Sequence, residues 1–169
     1  IQHFKTFFSN PKILKIGHNL KYDIKVLNRY GISVSKNCFD TMIAHYLINP
    51  DMRHNMDVLA ETYLNYSPQS ITELIGKKGK NQGSMRDVPL DQQTQYAVED
   101  ADITLQLKHH FEKELEEGQT TELFKTVELP LVQVLTDMEA EGINLNVNFL
   151  NQLSKTLTAD IAVLKKDIF

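Results

Sequence analysis

Tryptophan is absent from this 169-residue chain, and cysteine occurs once, at Cys38. A lone thiol excludes an intramolecular disulfide and any cysteine-built zinc cluster, which fits a reducing compartment such as the cytoplasm. Its ordinary fate is burial as a small apolar side chain. Long apolar runs are also missing: none reaches the roughly 18 residues that a membrane-crossing helix needs. No charged-then-apolar leader opens the sequence, so no membrane span or membrane targeting is expected. Positive charge is not in excess either, since 18 Lys and Arg face 22 Asp and Glu, a net charge of -4. Any contact with nucleic acid must come from a local basic patch or from bound cations. Repeats and low-complexity tracts are absent.

What remains is globular material. Hydrophobic residues make up 41% and charged residues 24%, enough for a soluble core. The length suits one domain, or part of one joined to a piece of another. The chain starts at Ile1, and residues 2–8 read as the tail of a helix already under way, so it is expected to open mid-domain.

Past Asn10-Pro11, the run Ile13 to Gly17 has the length and flanks of a buried strand. Asn19 is expected to cap a helix carrying Leu20, Ile24 and Leu27, with Gly31 as its stop. A second strand is expected over 32–39. Asp40 should then cap a helix whose apolar face is Met42, Ile43, Tyr46 and Leu47, ended by Asn49-Pro50. A further helix over 55–65 turns Met56, Leu59, Ala60, Tyr63 and Leu64 inward. From Ser67 to Pro89 the pattern loosens, with Lys77, Lys78, Lys80 and Arg86 forming the one basic concentration. Glycines there let backbone amides approach an anion, and Lys78, Lys80 and Arg86 are the residues expected to meet a phosphate backbone.

A long helix over 90–116 puts Tyr96, Asp100, Ile103, Leu107 and Phe111 on one stripe. An acid within an apolar stripe has a raised pKa unless a cation or donor compensates it. The polar break over 116–121 is the preferred domain boundary. Beyond it a helix over 123–141 is interrupted or restarted at Pro130, and 142–146 forms a short strand or extended turn. Leu150, Leu153, Leu157, Ile161, Leu164 and Ile168 make a helical seam with no partner in the sequence, so more protein is expected after Phe169.

Two acidic signatures carry the chemistry: Gly17-His18-Asn19-Leu20-Lys21-Tyr22-Asp23 and Tyr96-Ala97-Val98-Glu99-Asp100-Ala101-Asp102. Each sets a carboxylate beside a tyrosine, equipment for holding a hard divalent cation and aiming a water at a phosphodiester. Two carboxylates are too few for a stable two-cation site. His18 reads as a hydrogen-bonded neighbour, Asp40 as a cap, and Glu99 with Asp102 as a solvated pair.

Asn19-x-x-Tyr22-Asp23 and Tyr96-x-x-x-Asp100, in that order and with Phe39-Asp40-Thr41-Met42 and the Gly76 to Gln82 loop between them, resemble the second and third exonuclease motifs of the DEDD exonucleases, in the tyrosine-bearing subclass. The stretch Ile103 to Leu107, Glu128 to Leu135 and Met138 to Ile143 extend the likeness, over essentially the whole chain, to bacterial family A DNA polymerases.

That resemblance implies an α/β, helix-rich, incomplete ribonuclease H-like 3′-5′ exonuclease fold over 1–118, followed over 119–169 by the first helices of a polymerase thumb. It implies proofreading hydrolysis of DNA 3′ ends with two Mg²⁺ or Mn²⁺ ions, Asp23 holding the second and Asp100 the first. Tyr96 would hydrogen-bond the attacking water, and Asn19 would shape the site beside the substrate end. The implied partners are single-stranded 3′ ends, primer-template DNA and the remainder of a polymerase chain. The family's first motif, an Asp-x-Glu on an early strand, does not occur before Lys15. Truncation is the expected reason, leaving this stretch inactive alone. Residues 70–75 also lack the aromatic that related enzymes offer to a frayed DNA end. Two rival classes are a non-catalytic DNA-positioning module and a helical scaffold built on the seam.

Overall fold

Strand β1 (Lys15–Gly17) and strand β2 (Cys38–Asp40) pair in parallel, with Lys15 opposite Cys38, Ile16 opposite Phe39 and Gly17 opposite Asp40. The structure, a computed structural model, describes residues 2–168; Ile1 and Phe169, on which the expectations about the chain's two ends rest, lie outside them. A short helix α1 (Lys5–Ser9) precedes β1, and helix α2 (Leu20–Arg29) connects the two strands. Gly31 closes α2 as expected, at a φ of +69° that costs glycine little, while the Ile32 N–H reaches back to the Leu27 carbonyl at 3.1 Å.

The second strand is much shorter than the 32–39 expected. Ile32 is fully buried, yet its N–H is spent on α2, and the Ser35 N–H is taken by the Phe8 carbonyl at 2.9 Å. Backbone groups committed to local and loop contacts cannot also form a ladder.

Helices α3 (Thr41–Ile48) and α4 (Met56–Leu64) pack on α6 (Leu90–Glu117), a 28-residue helix that matches the long helix over 90–116 read from the sequence. The main core gathers Phe39, Ala44, Leu59, Ile103, Leu107 and Phe111. The inward face of α3 differs from expectation. Ile43 and Leu47 do pack at the core edge, but Tyr46 is half exposed, while Thr41, Ala44 and His45 are fully buried. His45 is tolerated inside because both ring nitrogens have partners: Nδ1 lies 2.7 Å from Nδ1 of His54, and Nε2 lies 3.0 Å from the Tyr63 hydroxyl.

The segment 67–89 is less loose than its composition suggests. It holds a short helix α5 (Ile71–Ile75), capped by Ser70, and a 3₁₀ turn at Met85–Asp87. The basic loop between them is closed by the Gly83 N–H on the Ile75 carbonyl at 2.7 Å.

The interruption at Pro130 appears as a π-helical turn, Phe124–Glu128, between α7 (Thr121–Leu123) and α8 (Leu129–Glu141). Proline has no N–H to continue the α-helical ladder, and a widened turn just before it absorbs the mismatch. Phe124 is buried by this turn, its ring 4.9 Å from that of Phe39.

The chain divides into two compact units after Met138. In the second, residues 142–146 form an extended link rather than a strand, and helix α9 (Val147–Ile168) leaves the whole seam from Leu150 to Ile168 exposed. Among the described residues no helix is long and apolar enough to cross a membrane.

Candidate active site

The end of β1 is crowded. A Cβ on Gly17 would stand 2.3 Å from Cδ2 of the buried Leu20, so a side chain at residue 17 would force Leu20 to move. Asn19 follows with φ 64° and ψ 51°. The sequence reading of Asn19 as a side-chain cap is wrong: in the left-handed region its side chain makes no cap hydrogen bond to the helix it precedes, whereas capping asparagines are extended.

Asp40 does the capping instead, and for two helices. Its carboxylate accepts the Asn19 N–H at 3.1 Å and the Leu20 N–H at 2.7 Å at the start of α2. It also accepts the Met42 N–H at 2.9 Å and the Ile43 N–H at 3.4 Å at the start of α3. The expected cap of α3 is therefore present, and the second cap was not foreseen.

This turn sets Asp23 in the first turn of α2, facing α6. Asp23 and Asp100, 77 positions apart by numbering, line one cleft of about 480 Å³ together with His18, Met56 and Thr104. Tyr96 sits one helical turn before Asp100, and the two side chains interact closely enough to shift each other's pKa. His18 is held by its neighbours as expected, Nδ1 lying 2.9 Å from Thr41 Oγ1.

The cleft is electrostatically unfavourable for anions. Burial, reinforced by the charge of Asp40, pushes the Asp23 carboxyl above its usual range. Burial also raises Asp100, the hydrogen bond from Tyr96 opposes that rise, and the charges of Glu99 and Asp57 add to it. Burial first, then the Asp100 charge and their hydrogen bond, push Tyr96 up to about 12. The phenol is thus protonated at neutral pH and able to donate. Hard oxygen donors held in a site that disfavours their charged forms suit a hard divalent cation, which would compensate both. Two such donors are fewer than a pair of ions needs. Among the described residues no group of three or more His, Cys, Asp or Glu side chains is arranged for a metal.

Lys78 and Lys80 are exposed on the glycine-rich loop and Arg86 in the 3₁₀ turn after it, and none lines this cleft. Glu99 is not the solvated acid expected: it accepts from the Tyr66 hydroxyl and from the Gln69 N–H at 2.9 Å, pinning the segment after α4 to α6. Asp102 is exposed and accepts from Gln106 at 2.6 Å. Both acids line a larger cleft of about 980 Å³, floored by Leu64, Leu90 and Val98, which contains neither Asp23 nor Asp100. Asp57, whose charge reaches Asp100, Tyr96 and His18, was missed. In the sequence it is one more first-turn acid of a helix, a position acids favour for the dipole alone.

A family described as 3′-5′ exonuclease matches residues 1–116. The DNA polymerase I of Chloroflexus aurantiacus is 41% identical over 96% of this chain and 17% of its own length. That of Borreliella burgdorferi is 36% identical over 99% of this chain and 18% of its own. The chain thus spans less than a fifth of these curated relatives. Among solved structures, the polymerase domain of Pol1 from M. smegmatis, in complex with DNA primer-template and dNTP, superposes with a TM-score of 0.74 at 23% identity, covering 95% of this chain and 25% of that one. Brucella melitensis NrnC superposes with a TM-score of 0.66 at 21% identity, covering 80% and 62%. At these identities the two likenesses are of fold.

Proposed function

Because the chain belongs to the 3′-5′ exonuclease family of the family A DNA polymerases, we propose that it forms the metal-holding half of a proofreading site within a longer polymerase. Its fold is mostly helical with a small open two-stranded sheet, an incomplete ribonuclease H-like arrangement. On this reading residues 1–118 are the exonuclease segment and residues 119–169 open the polymerase domain, a boundary supported by the family match ending at 116. The observation that carries the proposal is the convergence of Asp23 and Asp100 in one cleft.

Asp23 and Asp100 would hold Mg²⁺ or Mn²⁺, with further ligands from an upstream Asp-x-Glu strand, a motif that does not occur before Lys15. The ions supply Lewis acidity at the scissile phosphate and offset its charge. The chain's own residues set the stage for hydrolysis. Tyr96, protonated and oriented by Asp100, offers its hydroxyl to the attacking water. Water then bonds to phosphorus as the bond to the 3′ oxygen breaks, and that oxygen leaves with a proton. Asn19, exposed at the head of α2, would border the terminal nucleotide, and Lys78, Lys80 and Arg86 would meet the DNA backbone.

Mn²⁺ titrated into the polymerase that carries this chain should bind with an affinity that Asp23→Ala lowers at least about tenfold. Equal affinity in the variant removes Asp23 from the metal site. No tight binding in either protein would make the domain a DNA-positioning module. Separately, replacing Lys78, Lys80 and Arg86 together by Gln should weaken single-stranded DNA binding irrespective of sequence. It should also flatten the log-log salt dependence by roughly two. An unchanged slope would leave those residues as a solvated loop.

A further inference from the structure

We propose that Asp40 is a positioning residue whose buried carboxylate locks the start of α2 to the start of α3 and thereby fixes where Asp23 stands. The inference rests on the reading of Asp23 as a metal ligand. Asp40 is 1% exposed, and its carboxylate serves both helices, Oδ1 reaching the start of each and Oδ2 only α2. Oδ1 takes Asn19, Met42 and Ile43, while Oδ2 takes Leu20 alone at 2.7 Å. These four N–H donors supply the compensation that a buried carboxylate requires.

An ordinary cap would need only the α3 half of this set. The α2 half replaces the cap that Asn19 cannot provide in its left-handed conformation. Leu20 is the first residue of α2, so its N–H has no acceptor within its own helix and depends on Oδ2. Thr41 strengthens the same junction, its hydroxyl lying 3.2 Å from the Gly17 carbonyl and 2.9 Å from His18 Nδ1. The turn 17–20 is thus stitched to 40–43 from both sides, and Asp23 follows within one helical turn. A carboxylate meant to hold an ion in the cleft it lines with Asp100, on a different helix, needs such a fixed origin.

Asp40→Asn separates the two halves. With the amide oxygen kept at the Oδ1 position, its NH₂ faces the Leu20 N–H, donor against donor. Hydrogen exchange on the chain should show Leu20 protection falling by about tenfold or more, with Met42 and Ile43 changing less than about twofold. In the polymerase that carries this chain, Mn²⁺-induced relaxation of amides around Asp23 should require more Mn²⁺ in the variant than in the wild type.

Wild-type protection at Leu20 would overturn the proposal. So would a loosened Leu20 with an unchanged Mn²⁺ response at Asp23, since Asp40 would then be a cap and nothing more. No Mn²⁺ response at Asp23 in the wild type overturns the metal reading instead, and the exchange data still decide whether Asp40 fixes the turn. Should Asp40→Asn fail to fold, Asp40→Ser gives the same contrast, because a serine oxygen caps α3 and cannot reach α2.

Discussion

Asp100→Ala is expected to abolish metal-dependent degradation of single-stranded DNA by a polymerase carrying both this chain and an upstream Asp-x-Glu strand. The loss should exceed the roughly 10²- to 10³-fold typical of removing one stabilising donor from an active site. Asp100 would take part twice, as an ion ligand and as the acceptor that orients the Tyr96 hydroxyl. Alanine removes both contributions, leaving the phenol free to rotate and the cleft short of a donor. The fold should not suffer. Burial already disfavours the Asp100 carboxylate, and Glu99 and Asp57 add to that strain, so without metal the variant should unfold at an equal or higher temperature than the wild type. A stable but inactive variant identifies a group kept for chemistry. Retained activity would remove Asp100 from the site.

Acid should destabilise the chain through His45, and His45→Gln should blunt that sensitivity. His45 is fully buried against the rings of Tyr63 and Phe111. Burial, then the neighbouring His54 and His18, lowers its pKa from 6.5 to about 4. Between those values the unfolded chain holds a proton that the folded chain does not, so unfolding takes up a proton and stability falls as pH falls. The contribution is intact above pH 6.5 and fully lost below about 4. At roughly 1.4 kcal/mol per pKa unit, its upper bound is about 3.5 kcal/mol. Asp23 and Asp100 act in the opposite sense, because their raised pKa values let the folded state bind protons first on acidification. The comparison of wild type with His45→Gln isolates the histidine. Urea unfolding at pH 7 and pH 4.5 should show the wild type losing more stability than the variant between the two. Parallel losses would mean that His45 takes up its proton in the folded state without cost.

Much of this was legible in the residues, and the exceptions have physical causes. Helix α6 was readable because Tyr96, Asp100, Ile103, Leu107 and Phe111 fall on one stripe, whose later members are the ones it buries. Gly31 was readable because a left-handed residue after a helix favours glycine so strongly. The strand over 32–39 was over-read, since apolar content says nothing of where backbone N–H groups are spent, and here α2 and the loop from Phe8 take them. Asn19 was misread for a similar reason: an asparagine before a helix suits either an extended cap or a left-handed turn, and the choice depends on whether some other group can cap. Asp40, twenty-one positions away, does so.

The sequence by itself determined the longer helices, the two acidic signatures and the order in which they occur, because local periodicity and residue chemistry are properties of neighbours along the chain. Only the tertiary structure decided that Asp23 and Asp100 share a cleft, that His45 sits neutral in the core, and that one carboxylate caps two helices. Those facts belong to groups far apart along the backbone. Their energies arise from burial, charge and hydrogen bonds that exist only once the parallel strands bring residue 17 opposite residue 40.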